Sequence, residues 1–147
     1  MNNTETLKAP GDEVPRPLGI LWRITAVVVG LLVIGILSIG TDRLLVATGV
    51  YRDPMTNSMF LIATAHRVVY AIVGCYVTAR IAPDRPMRYA IILGGIGLVL
   101  NILGLMAAIA AGPELGPKWY PIALIVTSIP CAWLGGRIRQ MQLSKEN

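Results

Sequence analysis

Residues 24–41 read ITAVVVGLLVIGILSIGT, a run without a single charged side chain. An α-helix needs about 20 mainly apolar residues to cross the hydrocarbon core of a bilayer. Three more apolar stretches of similar length follow, at residues 59–79, 89–113 and 119–136. The pattern predicts an all-α, membrane-embedded four-helix bundle with short loops. We place its spans at about residues 20–42, 59–81, 88–112 and 118–136.

The composition agrees with lipid as the solvent of this chain. Hydrophobic residues make up 54% and charged residues 14% of the 147 residues, whereas soluble domains carry roughly 25% charged residues. We expect one domain at residues 20–139. Residues 1–19 are polar and rich in proline, so we expect an unfolded tail that lies in the cytoplasm. Residues 140–147 form a second short cytoplasmic tail.

The basic residues predict the orientation of the bundle. With four crossings, the N-terminus, the turn near residue 84 and the C-terminus share one side of the membrane. That side carries nine basic residues: Lys8, Arg16, Arg23, Arg80, Arg85, Arg88, Arg137, Arg139 and Lys145. The other side carries three: Arg43, Arg52 and Lys118. Because basic residues accumulate on the cytoplasmic side, we expect both termini in the cytoplasm.

Two segments carry a resemblance to known proteins. TARIAPDRPMRYA (Thr78–Ala90) and KWYPIALIVTSIPCAWLGGRIR (Lys118–Arg139) resemble a set of uncharacterised small bacterial integral membrane proteins with four spans. The resemblance covers nearly the whole chain, and no activity is assigned to that set. It implies a multi-pass protein of the bacterial inner (plasma) membrane.

Arg67 is the most informative single residue, because it lies near the middle of the second span. An arginine at that depth costs about 2.5–3.5 kcal/mol on insertion scales and normally has a partner. Asp42, near the outer end of the first span, is the best candidate for that partner. We consider three alternatives: a buried pair that fixes helix register, a polar pathway or ligand site, and a cation that reaches the interface without a special role.

Three more residues complete the candidate intramembrane polar site of Asp42 and Arg67. His66 is the only histidine and is either a hydrogen-bonded packing residue, a proton relay or a metal ligand. Tyr70 shares a helix face with Arg67. Asn101 lies in a stripe of small residues on the third span, Gly97, Gly104, Ala108 and Ala111, where its amide could bond to a neighbouring helix.

No motif points to an enzyme. The sequence has no phosphate-binding loop, no nucleophile elbow and no zinc-protease signature. Cys75 and Cys131 lie inside spans and have neither disulfide nor zinc spacing. We therefore expect no catalytic residue, no cofactor and no metal ligand, and the basic residues show no nucleic-acid-binding pattern.

Two functions remain open at this point. The first is a structural or accessory membrane component, whose partners are the lipid bilayer and either a second copy of the chain or a larger membrane complex. The second is a small transporter or channel with a polar path around Asp42, His66 and Arg67. A membrane enzyme ranks third.

Overall fold

The computed structural model of the chain describes residues 16–82, 85–112 and 116–146. It contains four α-helices in these ranges: α1 (Arg16–Ala47), α2 (Asn57–Ile81), α3 (Pro86–Ala111) and α4 (Trp119–Glu146). Consecutive helices run antiparallel and are joined by short connections. We call the end that holds the N-terminus of α1 and the C-terminus of α4 the terminal end, and the opposite end the distal end.

The predicted fold class, an all-α four-helix bundle, is confirmed. All four helices are long and apolar enough to cross a membrane, which supports a multi-pass membrane protein. Two helices extend beyond the expected spans. α1 begins at Arg16 and ends at Ala47, and α4 continues to Glu146, well past residue 136. Of the expected N-terminal tail at residues 1–19, residues 1–15 lie outside the described residues.

Local sequence explains where the helices end. Gly49 has a φ of +72°, a left-handed conformation that glycine adopts at little cost, and α1 ends just before it. The N–H of Tyr51 then donates to the carbonyl of Leu45 at 3.0 Å, which turns the connection back onto α1. At the start of α3, Pro86 occupies the first turn, where its missing N–H costs nothing.

Small residues let the helices approach closely at the terminal end. The core there consists of Cys75, Ala79, Ala90, Leu93 and Ala132. Gly30 of α1 faces α2 so closely that an added Cβ would lie 2.8 Å from the carbonyl oxygen of Gly74. Because side chains this small leave little apolar area to bury, the terminal end is held by close backbone contact, as is common between membrane helices.

α1 is the least packed helix of the bundle. α2 packs against all three other helices, whereas α1 packs on α2 and α3 and makes no contact with α4 within the described residues. A cavity of about 290 Å³ lies between them and is lined by residues of all four helices. The bundle is therefore tightly packed around Gly30 and Ala132, and it contains a partly open space next to Arg67.

Candidate functional site

An ion pair joins α1 and α2 in the distal half of the bundle. The Arg67 guanidinium donates from one terminal nitrogen, Nη2, to Asp42 Oδ2 at 2.8 Å. The two side chains are 37% and 30% exposed, so the pair is partly buried. A bond to a charged acceptor at this distance is of the strong, charge-assisted kind.

Helix geometry explains how Arg67 reaches Asp42. Side chains lean towards the N-terminus of their own helix, and the N-terminus of α2 lies at the distal end. Arg67 therefore extends from mid-helix towards the end of α1 that carries Asp42. A buried cation is costly unless a charged or polar partner meets it, and this lean brings the partner within reach.

Two tyrosines complete the surroundings of the ion pair. The Arg67 guanidinium lies over the ring of Tyr120, 5.5 Å from the ring centre, within the range of a cation–π interaction. Tyr51, in the α1–α2 connection, is buried and close enough to Asp42 and Arg67 for their charges to act on its hydroxyl. We call Asp42, Tyr51, His66, Arg67 and Tyr120 the distal cluster.

His66 lies between two hydrogen-bond acceptors. Its Nδ1 is 2.9 Å from the carbonyl oxygen of Ile62, and its Nε2 is 3.3 Å from Asp42 Oδ1. The second contact is close, but its direction does not meet the geometry of a hydrogen bond. His66 is therefore bonded to its own helix through Ile62 and lies beside the Asp42 carboxylate without a hydrogen bond to it.

A second polar contact ties the same two helices together. The hydroxyls of Thr41 and Tyr70 are 2.7 Å apart and form a hydrogen bond. The ring of Tyr70 also lies 5.5 Å from the ring of His66. Tyr70 thus supports the distal cluster from one helical turn further along α2.

Asn101 belongs to a different contact. Its side-chain amide donates to Ser128 Oγ at 3.1 Å, and Ser128 Oγ donates to the carbonyl of Leu124 at 2.6 Å. This network joins α3 to α4. Asn101 is related to the distal cluster only through the cavity, which Asn101 and Arg67 both line.

The structure brings four of the five predicted site residues together and adds three that sequence reasoning missed. Asp42, His66, Arg67 and Tyr70 form one contact group, to which Thr41, Tyr51 and Tyr120 belong as well. The sequence signal for Tyr120 was its place beside Trp119, which is equally typical of an aromatic belt at the membrane surface. A loop tyrosine such as Tyr51 carries no signal of its own.

The distal cluster does not form a metal site in the described part of the chain. Within the described residues, no group of three histidine, cysteine, aspartate or glutamate side chains is placed to hold a metal ion. No protein-family model, no curated protein and no solved structure matches this chain. The site must therefore be interpreted from its own contacts.

Proposed function

We propose that the protein is a structural or accessory component of the bacterial inner (plasma) membrane, with both termini in the cytoplasm. Four apolar helices support the membrane location. The nine-to-three distribution of basic residues supports the orientation. In this proposal the chain catalyses no reaction and acts by packing against a second copy of itself or a larger membrane complex.

The observation that carries this proposal is that Arg67 contacts two other helices of its own chain. From α2, it bonds to Asp42 of α1 and lies over Tyr120 of α4. Because α1 and α4 do not touch each other in the described part of the chain, Arg67 is a link between them in the distal half. A cation already engaged by its own protein suits a scaffold better than a substrate site.

A double-mutant cycle tests this role. We expect Asp42→Asn and Arg67→Gln each to lower the free energy of unfolding by about 2 kcal/mol, between the values for exposed and fully buried pairs. The double variant should recover about 1 kcal/mol of the summed loss, since neither charge is then left alone. The measurement is reversible unfolding in mixed micelles.

Arg43→Gln is the matched control. Arg43 is exposed and adjacent to Asp42 on α1, so its removal should change the free energy of unfolding by less than about 0.5 kcal/mol. Losses from Asp42→Asn and Arg67→Gln that simply add in the double variant would contradict a structural pair.

The cavity favours a second candidate, a small transporter or channel. Its volume of about 290 Å³ lies beside Arg67, and Asn101, Thr127 and Ser128 add polar groups to an otherwise apolar lining. Water in this space would provide a polar path within the bundle. The two candidates therefore differ in whether the cavity is wet.

Two native thiols report on this difference. Cys75 and Cys131 both line the cavity, so a small aqueous thiol reagent should reach them only through water. The scaffold proposal predicts labelling much slower than at Ser58→Cys, an exposed position at the start of α2. Labelling of either native thiol at a rate close to that of Ser58→Cys would favour the transporter. Cys75→Ala and Cys131→Ala assign the signal.

A further inference from the structure

Three arginines and a tyrosine line an open cavity at the terminal end. Arg23 comes from α1, Arg85 from the residue before α3, and Arg88 and Tyr89 from the first turn of α3. It is an open groove at the surface with a volume of about 590 Å³, and the three arginines that line it are exposed. We propose that it binds a phosphate group, and that this phosphate belongs to the headgroup of an anionic phospholipid.

The side chains that line the cavity suit this ligand. Guanidinium groups present two parallel N–H donors that match the oxygens of a phosphate. Backbone donors at the start of α3 contribute less. Pro86 has no N–H, and the N–H of Arg88 donates to the carbonyl of Arg85 at 2.9 Å. The recognition therefore rests on the arginine side chains rather than on the helix terminus.

The backbone at Arg85 points to the same role. Arg85 has a φ of 45° and a ψ of 63°, the left-handed conformation that a residue with a Cβ rarely adopts. Glycine or asparagine would adopt it more cheaply. The sequence nevertheless has an arginine here, and its side chain lines the cavity. This combination is expected where the side chain has a task that outweighs the backbone strain.

The depth of the cavity favours a lipid over a soluble phosphate. Arg23 immediately precedes Ile24, where the first apolar stretch begins, and Tyr89 is the first residue of the third. This is the level at which lipid phosphates lie beside a spanning helix. Ile92 follows Arg88 by four residues, so it lies on the same face of α3. It is 49% exposed and offers an apolar surface to an acyl chain.

Orientation signals alone do not explain this cluster. Arg80 and Arg137 belong to the same end of the bundle and do not line the cavity. The convergence of Arg23, Arg85 and Arg88 is a separate feature. Asp84, next to Arg85 in the sequence, lies outside the described residues.

The test uses the full chain purified in a mild detergent and mixed with equal amounts of phosphatidylglycerol and phosphatidylcholine. Native mass spectrometry then counts the bound lipids. We expect the unchanged protein to retain one phosphatidylglycerol in preference to phosphatidylcholine. Each single change of Arg23, Arg85 or Arg88 to Gln should weaken that binding about fivefold, the effect of roughly one cation near an anionic surface.

Two further variants separate a built site from general positive charge. Arg137→Gln removes a charge at the same end of the chain, and the phosphatidylglycerol preference should persist. Arg88→Lys keeps the charge but loses the paired donors, and binding should fall at least twofold. Equal losses from Arg137→Gln and Arg88→Gln, or an unchanged lipid preference in the triple variant R23Q/R85Q/R88Q, would overturn the proposal.

Competition with inorganic phosphate distinguishes a lipid headgroup from a soluble phosphate ion as the ligand. If the site holds a lipid, millimolar phosphate should leave the bound phosphatidylglycerol in place. Displacement of the lipid by micromolar phosphate would still support a phosphate site but would assign it to a soluble ion. Gel filtration and circular dichroism check that the triple variant is folded; where it is not, the single variants and Arg88→Lys decide. The inference depends on a membrane location and not on the choice between scaffold and transporter.

Discussion

Arg67 shows how a charged residue that is costly to place in a membrane determines the contacts around it. A cation in the middle of a membrane helix needs an anion and hydrogen-bond acceptors for its N–H groups. An aromatic ring face nearby stabilises it further. Asp42 and Tyr120 supply two of these from different helices. Sequence reasoning found the cation and its anion because intramembrane charges are rare. It could not find Tyr120, because interfacial tyrosines have an equally good explanation as lipid anchors.

Tyr51 gives a prediction about alkaline pH. Burial, followed by the nearby Asp42 carboxylate, raises the pKa of the Tyr51 hydroxyl above its usual value of 10.0. A group whose pKa is raised on folding adds stability that is complete below the unfolded pKa and lost as the pH rises through the folded one. We therefore expect the unchanged protein to lose stability above about pH 10 relative to Tyr51→Phe.

The same variant should be harmless at neutral pH, because the Tyr51 hydroxyl is buried without a hydrogen-bond partner. Tyr70→Phe is the matched control. Its hydroxyl is bonded to Thr41 at 2.7 Å, and the change should cost about 0.6–1 kcal/mol at pH 7. The measurement is the free energy of unfolding at pH 7 and pH 11. A larger loss from Tyr51→Phe than from Tyr70→Phe at pH 7 would contradict this interpretation.

Helices and their glycines show where prediction from sequence stops. Hydropathy gives the number of helices, because each long apolar stretch predicts one membrane-spanning helix. It does not say which face of a helix packs. In the predicted stripe on α3, Asn101 bonds to α4 and Ala108 is buried, but nothing lies within 4 Å of a Cβ added at Gly97 or Gly104. The close contact instead uses Gly94, opposite Ala132.

The ends of the helices were also set by features that hydropathy does not see. α4 continues past residue 136 through the polar residues RIRQMQLSKE to Glu146, because these residues are mostly good helix formers and no glycine or proline follows Gly136. A window of apolar residues marks the part of a helix that lies in lipid, and a helix can extend beyond it.

Gly30 and Gly40 provide a prediction at the level of one helix. A Cβ at Gly30 would lie 2.8 Å from the carbonyl of Gly74 and 2.9 Å from a methyl of Leu93, and it would also meet the hydroxyl of Thr78. Since a backbone carbonyl cannot move aside cheaply, we expect Gly30→Ala to cost about 1–3 kcal/mol in the free energy of unfolding.

Gly40 is on the same helix, and nothing lies within 4 Å of a Cβ built there. Gly40→Ala should therefore be neutral or slightly stabilising, because alanine is the better helix former. Unfolding in mixed micelles compares the two variants. Similar effects at the two positions would show that the α1–α2 contact at Gly30 is not as close as described.

At the scale of the whole molecule, the bundle combines close backbone packing with a partly open space. Small side chains bring the helices together around Gly30 and Ala132. A partly open cavity lies next to this packed region, and polar contacts centred on Arg67 link the helices beside it. Polar bonds thus hold the molecule where close packing ends, an arrangement suited to helices whose outer surfaces face hydrocarbon rather than water.

The central claim is that lipid surrounds these four helices, and tryptophan quenching by brominated lipids tests it most directly. In a variant with phenylalanine at positions 22, 119 and 133, Val126→Trp places one tryptophan on the exposed face of α4, where Val126 is 67% exposed. Trp119 alone, seven residues and about 10 Å away along the helix, is the shallow control. We predict that bromines near the chain ends quench Val126→Trp most strongly and that shallow bromines quench Trp119. Quenching of Val126→Trp by aqueous acrylamide, with no response to bromines at either depth, would contradict the claim.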